Sequence, residues 1–435
     1  MKQSVPRLIA IFLCALCISA SNIASAGNTD LHIIDKQRIA EILGSTMSNI
    51  VGESIKEFTL FAIKDDALVP VPFQFNEYDL EGYVYFKTSK IDIDGFISVV
   101  DDNDKLLFMI SDAGPQKNSR HRVDGTIVEE IKLQLSTGQD RFVYLVKGSR
   151  LEPDTQYVRY STELGQVETD QYSLRVDPEN ALNWIKFDWD NFTGKDQGDP
   201  LDTMKIRIHA GVITPITKLS IGNRQMVAEP LEERPGPILA TTQYKITAIV
   251  LGIPFLTMNL QIHRSAYTIT YDVRVDMPET RRKLLHNPTL SLSLDGNSLY
   301  GAKFRTALGP KAAAIVDGKL SPFEEQLIEK GLNNEHNWIW LNSGKNFDVV
   351  AILDVPTDQH LPLGFFLKDD ADVVDKPERY VGQLPNIGYL IKDLPKKGFF
   401  FININLHFSD GIEGMDPSKY VEIMKAGVPY QVTQL

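Results

Sequence analysis

The sequence predicts an all-β protein with an N-terminal β-sandwich, a larger antiparallel sandwich domain and few short helices. Three observations predict this class. Apolar and polar residues alternate with a period of two in many short runs, turn signals rich in Gly and Asp separate those runs, and few segments carry a helix start signal. Frequent short strands with such turns are typical of a sandwich rather than of alternating strand–helix units.

The clearest alternating run covers residues 267–277. One face is apolar or aromatic and consists of Tyr267, Ile269, Tyr271, Val273, Val275 and Met277. The other face is polar and consists of Thr268, Thr270, Asp272, Arg274 and Asp276. This pattern predicts an antiparallel strand with one face on a core and one face in water. The same alternation occurs at 131–135, 204–209, 290–294 and 401–408.

Turn and helix signals complete the assignment. Gly-containing turn pairs stand between the runs at 94–95, 124–125, 137–138, 295–296, 317–318 and 343–344. Helices are predicted at 35–43, at 321–331 and at 416–426. The second is the best defined, because Ser321 precedes Pro322 in the first helical position and two glutamates follow in the first turn.

The first 26 residues have the features of a secretory signal peptide. Lys2 and Arg7 precede the apolar residues 8–20, and the small residues 24–26 form a cleavage site. The sequence therefore predicts an exported protein, periplasmic or extracellular. Both cysteines of the chain lie within residues 14–17, so the mature protein is predicted to have none.

Two domains are predicted after the signal peptide. A polar stretch at 148–165, which contains Pro153, follows a strongly apolar strand. We therefore expect an N-terminal sandwich domain at 27–155 and a large sandwich domain at 156–435. All-β domains of the larger size are common.

Composition and motifs exclude several function classes. The chain has 45 Lys and Arg against 57 Asp and Glu, a formal net charge of −12, which argues against a nucleic-acid partner. The apolar run 248–260 is interrupted by Gly252-Ile253-Pro254, so we predict two buried strands there and no transmembrane segment after signal cleavage. The chain contains no H-E-x-x-H, G-x-S-x-G or P-loop motif.

An acidic segment is the one candidate metal site. Asp101, Asp102 and Asp104 follow Asp92 and Asp94 closely, and carboxylates are the ligands that Ca²⁺ prefers. The spacing differs from that of an EF-hand loop. Calcium is therefore the single candidate cofactor, and the alternative is a solvated acidic turn before a strand.

An aromatic segment at 183–192 is the candidate ligand site. Trp184, Asp188 and Trp189 combine two indole rings with a carboxylate, and such combinations bind sugars when the rings are exposed. The alternative is that the rings belong to the core. The two tryptophans are five residues apart, so on a straight strand they would face opposite sides.

Two segments resemble a pattern in large secreted bacterial β-proteins. They are VPVPFQFNEYD at 69–79 and DDNDKLLFMISDAG at 101–114, and Lys105 stands where the pattern has an acid. Residues 236–242 and the 267–277 strand are similar to the body of the same proteins. The resemblance is to uncharacterised secreted bacterial β-sandwich proteins with a galactose-mutarotase-like supersandwich body. It implies export, a supersandwich-like large domain and an association with polysaccharides, and it carries over no catalytic residue.

Three functions remain open at this stage. The first is an exported protein that binds a carbohydrate or another envelope ligand in a cleft between sheets. The second is a polysaccharide-active, lyase-like enzyme with His263, Arg264 and Tyr267 as candidates. The third is a structural or assembly factor of the cell envelope. The expected partners are accordingly a glycan or an envelope component.

Overall fold

Antiparallel strand pairing dominates the chain. The computed structural model describes residues 32–435 except 90, 94, 213, 251, 357, 358, 360, 375, 396–398 and 413. The signal peptide predicted at 1–26 lies outside the described residues, as does Asp94. All strand pairs with a defined register are antiparallel. The predicted all-β, sandwich-type fold is confirmed.

The described residues form 26 strands. The first eleven are β1 (Ile39–Leu43), β2 (Phe58–Lys64), β3 (Ala67–Pro70), β4 (Gln74–Asn76), β5 (Lys105–Met109), β6 (Thr126–Gln134), β7 (Asp140–Lys147), β8 (Val158–Ser161), β9 (Gln166–Thr169), β10 (Tyr172–Asp177) and β11 (Asn180–Trp189). The others are β12 (Leu201–Val212), β13 (Thr214–Ile221), β14 (Met226–Arg234), β15 (Ala240–Val250), β16 (Ile253–Arg264), β17 (Thr268–Asp276), β18 (Leu285–Gly296), β19 (Lys303–Thr306), β20 (Ala314–Ile315), β21 (Trp338–Asn342), β22 (Asp348–Asp354), β23 (Leu363–Lys368), β24 (Asn386–Ile391), β25 (Phe399–Ser409) and β26 (Tyr430–Gln434).

These strands form five sheets in the described part of the chain. The main sheet has nine strands in the order β14-β15-β16-β17-β25-β22-β21-β19-β20, and the second sheet has five in the order β13-β12-β18-β24-β23. The N-terminal sheet is β26-β6-β7-β2-β3, and the cover sheet is β1-β5-β4. A further sheet has the order β11-β10-β9-β8.

The largest core lies between the main sheet and the second sheet. Tyr271 and Val273 of β17 and Ile404 of β25 pack there with Ile206 of β12 and Leu292 of β18. Because side chains alternate along a strand, the residues between these point to the opposite face of each sheet. In the main sheet, that opposite face carries the polar residues of β17 that the sequence predicted.

The last strand of the chain, β26, belongs to the N-terminal sheet. Strand β26, at residues 430–434, pairs with β6 in an antiparallel register from Tyr430↔Leu133 to Gln434↔Glu129. The C-terminal strand therefore completes a sheet whose other strands lie within residues 58–147. The predicted domain boundary at 155/156 stays a prediction.

Four α-helices occur among the described residues: α1 (Ile33–Lys36), α2 (Glu279–Arg282), α3 (Pro322–Lys330) and α4 (Pro417–Ala426). The predicted helices at 321–331 and 416–426 are confirmed. In the former, the Ser321 hydroxyl accepts a hydrogen bond from the backbone N–H of Glu324, whose carboxylate accepts one from the Ser321 N–H. Within the described residues, no helix has the length and apolar character required to cross a membrane.

The helix predicted at 35–43 is wrong. Helix α1 ends at Lys36, and residues 39–43 form β1, which pairs with β5 from Ile39↔Met109 to Leu43↔Lys105. Burial alternates along β1, with Ala40 and Ile42 in the core. Pairing with a distant strand therefore outweighs the local helical pattern.

Candidate functional site

A groove runs across the polar face of the main sheet. Thr270 and Asp272 of β17 lie directly opposite Asn405 and Asn403 of β25. On the other side of β17, His263 of β16 is paired with Thr270. The alternation that places the neighbouring residues in the core thus presents hydroxyl, amide, carboxylate and imidazole groups together on one surface.

The groove consists of connected segments. One segment has a volume of about 570 Å³ and an adjacent one about 410 Å³. Six residues line both: Ile39, Glu41, Thr268, Thr270, Asp354 and Asn405. A third segment of about 280 Å³ meets the second at Tyr83 and Asp272. The arrangement is an elongated cavity in the size range of ligand sites.

Three parts of the chain cover this polar face. Ile39 and Glu41 of β1 line the groove from the cover sheet, and residues 424–428 with Tyr430 line it from the C-terminal side. Tyr78 and Tyr83 line the second segment. The walls therefore come from sequence positions far from the floor.

Hydrogen bonds fix the side chains of the floor. The Thr270 hydroxyl donates to Asn405 Oδ1 over 2.8 Å, and Asn405 Nδ2 donates to Asp354 Oδ2 over 3.1 Å and to Asn403 Oδ1 over 2.6 Å. Lys425 Nζ, from α4, forms an ion pair of 3.1 Å with Asp354 Oδ1. Polar groups held in this way are preorganised for a ligand that has several hydroxyls.

A partly buried charge cluster lies where the second and third segments meet. The Arg274 guanidinium lies 3.0 Å from the centre of the Tyr83 ring and forms ion pairs with Asp79 at 3.8 Å and with Glu81 at 3.3 Å. Burial raises the pKa of Asp272 to about 7; Arg274 opposes this shift and the Asp79 charge adds to it. Asp272 is thus a carboxyl group that exchanges its proton near neutral pH.

Two histidines of the groove are held neutral. Burial, with the charge of Arg264 and a smaller effect of Lys105, lowers the pKa of His263 to about 4. The His263 ring is within 2.9 Å of the Thr241 hydroxyl. Burial and the Arg38 charge lower the pKa of His407 to about 4. At neutral pH these rings offer hydrogen bonds without positive charge.

The predicted ligand site at Trp184, Asp188 and Trp189 does not form an exposed platform. Trp184 is 4% exposed and Trp189 is fully buried, and Trp189 Nε1 donates to Asp410 Oδ1 over 3.0 Å. Asp188 is half-buried and forms ion pairs with two lysines. This arrangement favours the alternative that the rings belong to the core, where Trp184 stacks on Phe187.

A β-bulge explains why both rings are buried. Strand β11 pairs with β10 through Arg175↔Lys186 and then Val176↔Trp184, so one residue of β11 is extra. The extra residue reverses the alternation between the two tryptophans. The straight-strand expectation that they face opposite sides is therefore wrong.

The acidic segment forms a tight turn. Asp101 Oδ1 accepts the backbone N–H groups of Asn103 and Asp104 over 3.0 and 3.2 Å, and Asp104 Oδ2 accepts the N–H of Asp101 over 3.0 Å. Asp102 is exposed. No group of three or more His, Asp or Glu residues suited to a metal occurs among the described residues. Calcium binding at this turn stays a prediction. Melting curves measured with calcium and with a chelator test it.

The three lyase candidates do not converge. His263 faces the groove, whereas Arg264, the next residue of β16, points into the main core and donates to the hydroxyls of Thr242 and Tyr244 over 3.0 and 3.3 Å. Tyr267 packs against the apolar cluster of Leu107 and its neighbours. Adjacent residues of a strand point to opposite faces, so the side chains of His263 and Arg264 share no site.

Sequence reasoning missed the residues that complete the groove. Asp354 ends β22 and Lys425 lies on α4, and neither position has a local pattern that marks it. The polar face of β17 was visible as alternation, but alternation alone does not tell a covered polar face from a solvated one. What makes this polar face a covered one is β1, which lies over it. The sequence had predicted a helix for these residues.

Among the comparisons with known proteins, only the search of solved structures found matches. No family model matches the chain, and no curated protein matches it in sequence. An alpha-mannosidase and a protein of glycosyl hydrolase family 38, both from Enterococcus faecalis, are each 8% identical with a TM-score of 0.49. Each match covers 92% of this chain. In the other direction, this chain spans 44% of the first protein and 46% of the second, less than half of their length. A GalM/aldose epimerase homologue from C. elegans is 8% identical, has a TM-score of 0.33 and covers 55% of this chain and 96% of its own. With TM-scores below 0.5, these matches carry no inference about this chain.

Proposed function

We propose that this protein binds a carbohydrate chain in the groove on the polar face of the main sheet. The observation that carries the proposal is the continuity of the groove, whose two larger segments share the floor residues Thr270, Asn405 and Asp354. An elongated cavity lined by hydroxyl, amide and carboxylate groups suits a polymer with many hydroxyls, because each sugar unit donates and accepts hydrogen bonds.

The groove offers both kinds of partner that a sugar needs. Thr270 and Asn405 supply donors and acceptors, and the edges of Ile39 and Tyr78 supply apolar contact for the C–H surface of a ring. The floor groups are already held by one another, so binding would order few side chains. The resemblance to secreted polysaccharide-associated proteins agrees with this ligand class.

A glycan array probed with the protein lacking residues 1–26 tests the proposal. We expect binding to at least one class of acidic or neutral oligosaccharide. Absence of binding across both classes would overturn the proposal and favour the third function, a structural or assembly factor.

A second candidate function, a polysaccharide-active enzyme, is favoured by Asp272. Its pKa of about 7 and its position between two groove segments suit a group that takes up or releases a proton during catalysis. Incubation with acidic polysaccharides, followed by the ultraviolet absorbance of unsaturated uronates, tests the lyase-like form. Product formed by the native protein and by Asp190→Asn, which changes an exposed residue outside the groove, but not by Asp272→Asn would support it. Binding without product would limit the function to recognition.

We also propose that the protein is exported. Lys2, Arg7 and the apolar residues 8–20 support this, together with the small residues at 24–26. Fractionation of cells that produce the full chain, compared with cells that produce residues 27–435, tests it. Recovery of both forms in the cytoplasmic fraction would contradict export.

A further inference from the structure

A second cavity lies on the other side of the sandwich, at the outer face of the second sheet. Along β12, Ile206 and Ile208 point into the core, so Arg207 and His209 point outward. Arg207 lies directly opposite Ser291 of β18 in the antiparallel register. None of the residues that line this cavity lines the carbohydrate groove.

Basic side chains surround this cavity, which has a volume of about 320 Å³. Its basic lining consists of Arg207, His209, Arg224, Lys368 and Lys376. None of the described lining residues is acidic. The chain as a whole has a formal net charge of −12, so its amino-acid composition does not account for a cavity lined by basic residues.

A further feature suits the cavity to an anion. Arg207 is 8% exposed, and its guanidinium carbon lies 5.9 Å from the centre of the Phe366 ring, so the planar donor group is held against an apolar surface.

We propose that this cavity binds a tetrahedral oxyanion, phosphate or sulfate. The cations come from β12, from the turn after β13, from β23 and from the segment that follows β23, so they approach from several sides. A tetrahedral ion presents acceptor oxygens in several directions and forms charge-assisted hydrogen bonds with each. Binding here is independent of the carbohydrate groove.

Thermal melting and calorimetry with inorganic phosphate and sulfate test the proposal. Sodium chloride at the same ionic strength is the reference, because exposed charges respond to salt in general. We expect both oxyanions to raise the melting temperature above the chloride value and to bind with measurable heat. An effect no larger than that of chloride would overturn the proposal.

A pair of variants locates the binding. Arg224 and Lys376 are exposed, so Arg224→Gln with Lys376→Gln should leave the fold intact, which circular dichroism checks. We expect this variant to bind phosphate at least tenfold more weakly than the native protein. The matched control, Arg175→Gln with Lys311→Gln, removes two exposed charges outside the cavity and should bind as the native protein does. Equal loss in both variants would overturn the assignment.

Two further probes distinguish the source of the anion. Free sulfate and a sulfated disaccharide present the same group, as do inorganic phosphate and glucose 6-phosphate. If the sugar-linked forms bind more tightly, and if Arg224→Gln with Lys376→Gln loses that binding, the anion is a phosphate or sulfate group carried by a larger ligand. Equal binding of free and linked forms would identify the free ion.

Discussion

Asn405 and Asp354 join two strands of the main sheet through a hydrogen bond of 3.1 Å between the amide Nδ2 and the carboxylate Oδ2. Asn405 lies on β25 and Asp354 at the end of β22, and the Asn405 amide oxygen also accepts from Thr270 of β17. The three strands therefore present their polar groups in one fixed arrangement. This arrangement is the floor of the groove to which we assign carbohydrate binding.

Removal of the Asn405 side chain should weaken both ligand binding and folding stability. The Asn405→Ala variant loses three hydrogen bonds of the floor, each with a net effect on folding of about 1 kcal/mol. Because the groove is open to water, we expect a fall of about 1–2 kcal/mol in the free energy of unfolding, measured in urea. Binding of the array-positive oligosaccharide should weaken about tenfold or more. Unchanged affinity would remove Asn405 from the site.

The Asp272 carboxyl should make stability fall as the pH rises. Its pKa is about 7 in the folded protein and about 3.9 in an unfolded chain. Between these values the folded state holds more protons, so the free energy of unfolding falls as pH rises from about 4 to 7. Urea unfolding of Asp272→Asn should show a shallower fall between pH 5 and pH 8. Asp276→Asn, which changes an exposed residue of the same strand, is the control; identical slopes in all three proteins would contradict the account.

The buried histidines should have the opposite effect in acid. The pKa values of His263 and His407 are about 4 in the folded protein and about 6.5 in an unfolded chain. The stability that they contribute is present above pH 6.5 and is lost as the pH falls toward 4. His407→Gln should therefore lose less stability between pH 6.5 and pH 4.5 than the native protein. The exposed His336→Gln is the matched control, and the same acid sensitivity in both variants would be evidence against this effect.

Tryptophan fluorescence should report a core rather than a binding surface. All four tryptophans of the chain are buried, with exposed fractions of 4%, 0%, 7% and 8% for Trp184, Trp189, Trp338 and Trp340. We expect blue-shifted emission and little quenching by iodide. Trp189→Ala should lower the free energy of unfolding by about 3–5 kcal/mol, because it removes a fully buried ring. Strong quenching in the native protein would restore the prediction of an exposed ring platform.

The sequence predicted individual strands and helices better than it predicted the contacts between distant elements. The alternation at 267–277 defines β17 correctly, and the break at Gly252-Ile253-Pro254 correctly predicts the hairpin between β15 and β16. The capped helix at 321–331 was predictable because its signals are local. Each of these features depends on neighbouring residues alone.

Features that depend on distant residues were not predictable. Residues 39–43 form β1 only because β5, more than 60 residues later, pairs with them. The bulge at residues 185–186 arises from the register between β10 and β11, and it buries both tryptophans that the sequence had suggested as ligand contacts. The groove forms only where β1, β17, β22, β25 and α4 pack together. No local pattern in a single sequence indicates that these distant elements are in contact.

A groove-blocking substitution tests the central proposal most directly. Thr270 lines both of the larger groove segments, so Thr270→Trp should fill the space between them, whereas Thr193→Trp places the same ring on an exposed loop. Calorimetric titration of both variants and the native protein with the array-positive oligosaccharide, after circular dichroism and melting confirm the fold, is the measurement. We predict that Thr270→Trp abolishes binding while Thr193→Trp binds as the native protein does. Native affinity in a folded Thr270→Trp variant would contradict carbohydrate binding in this groove.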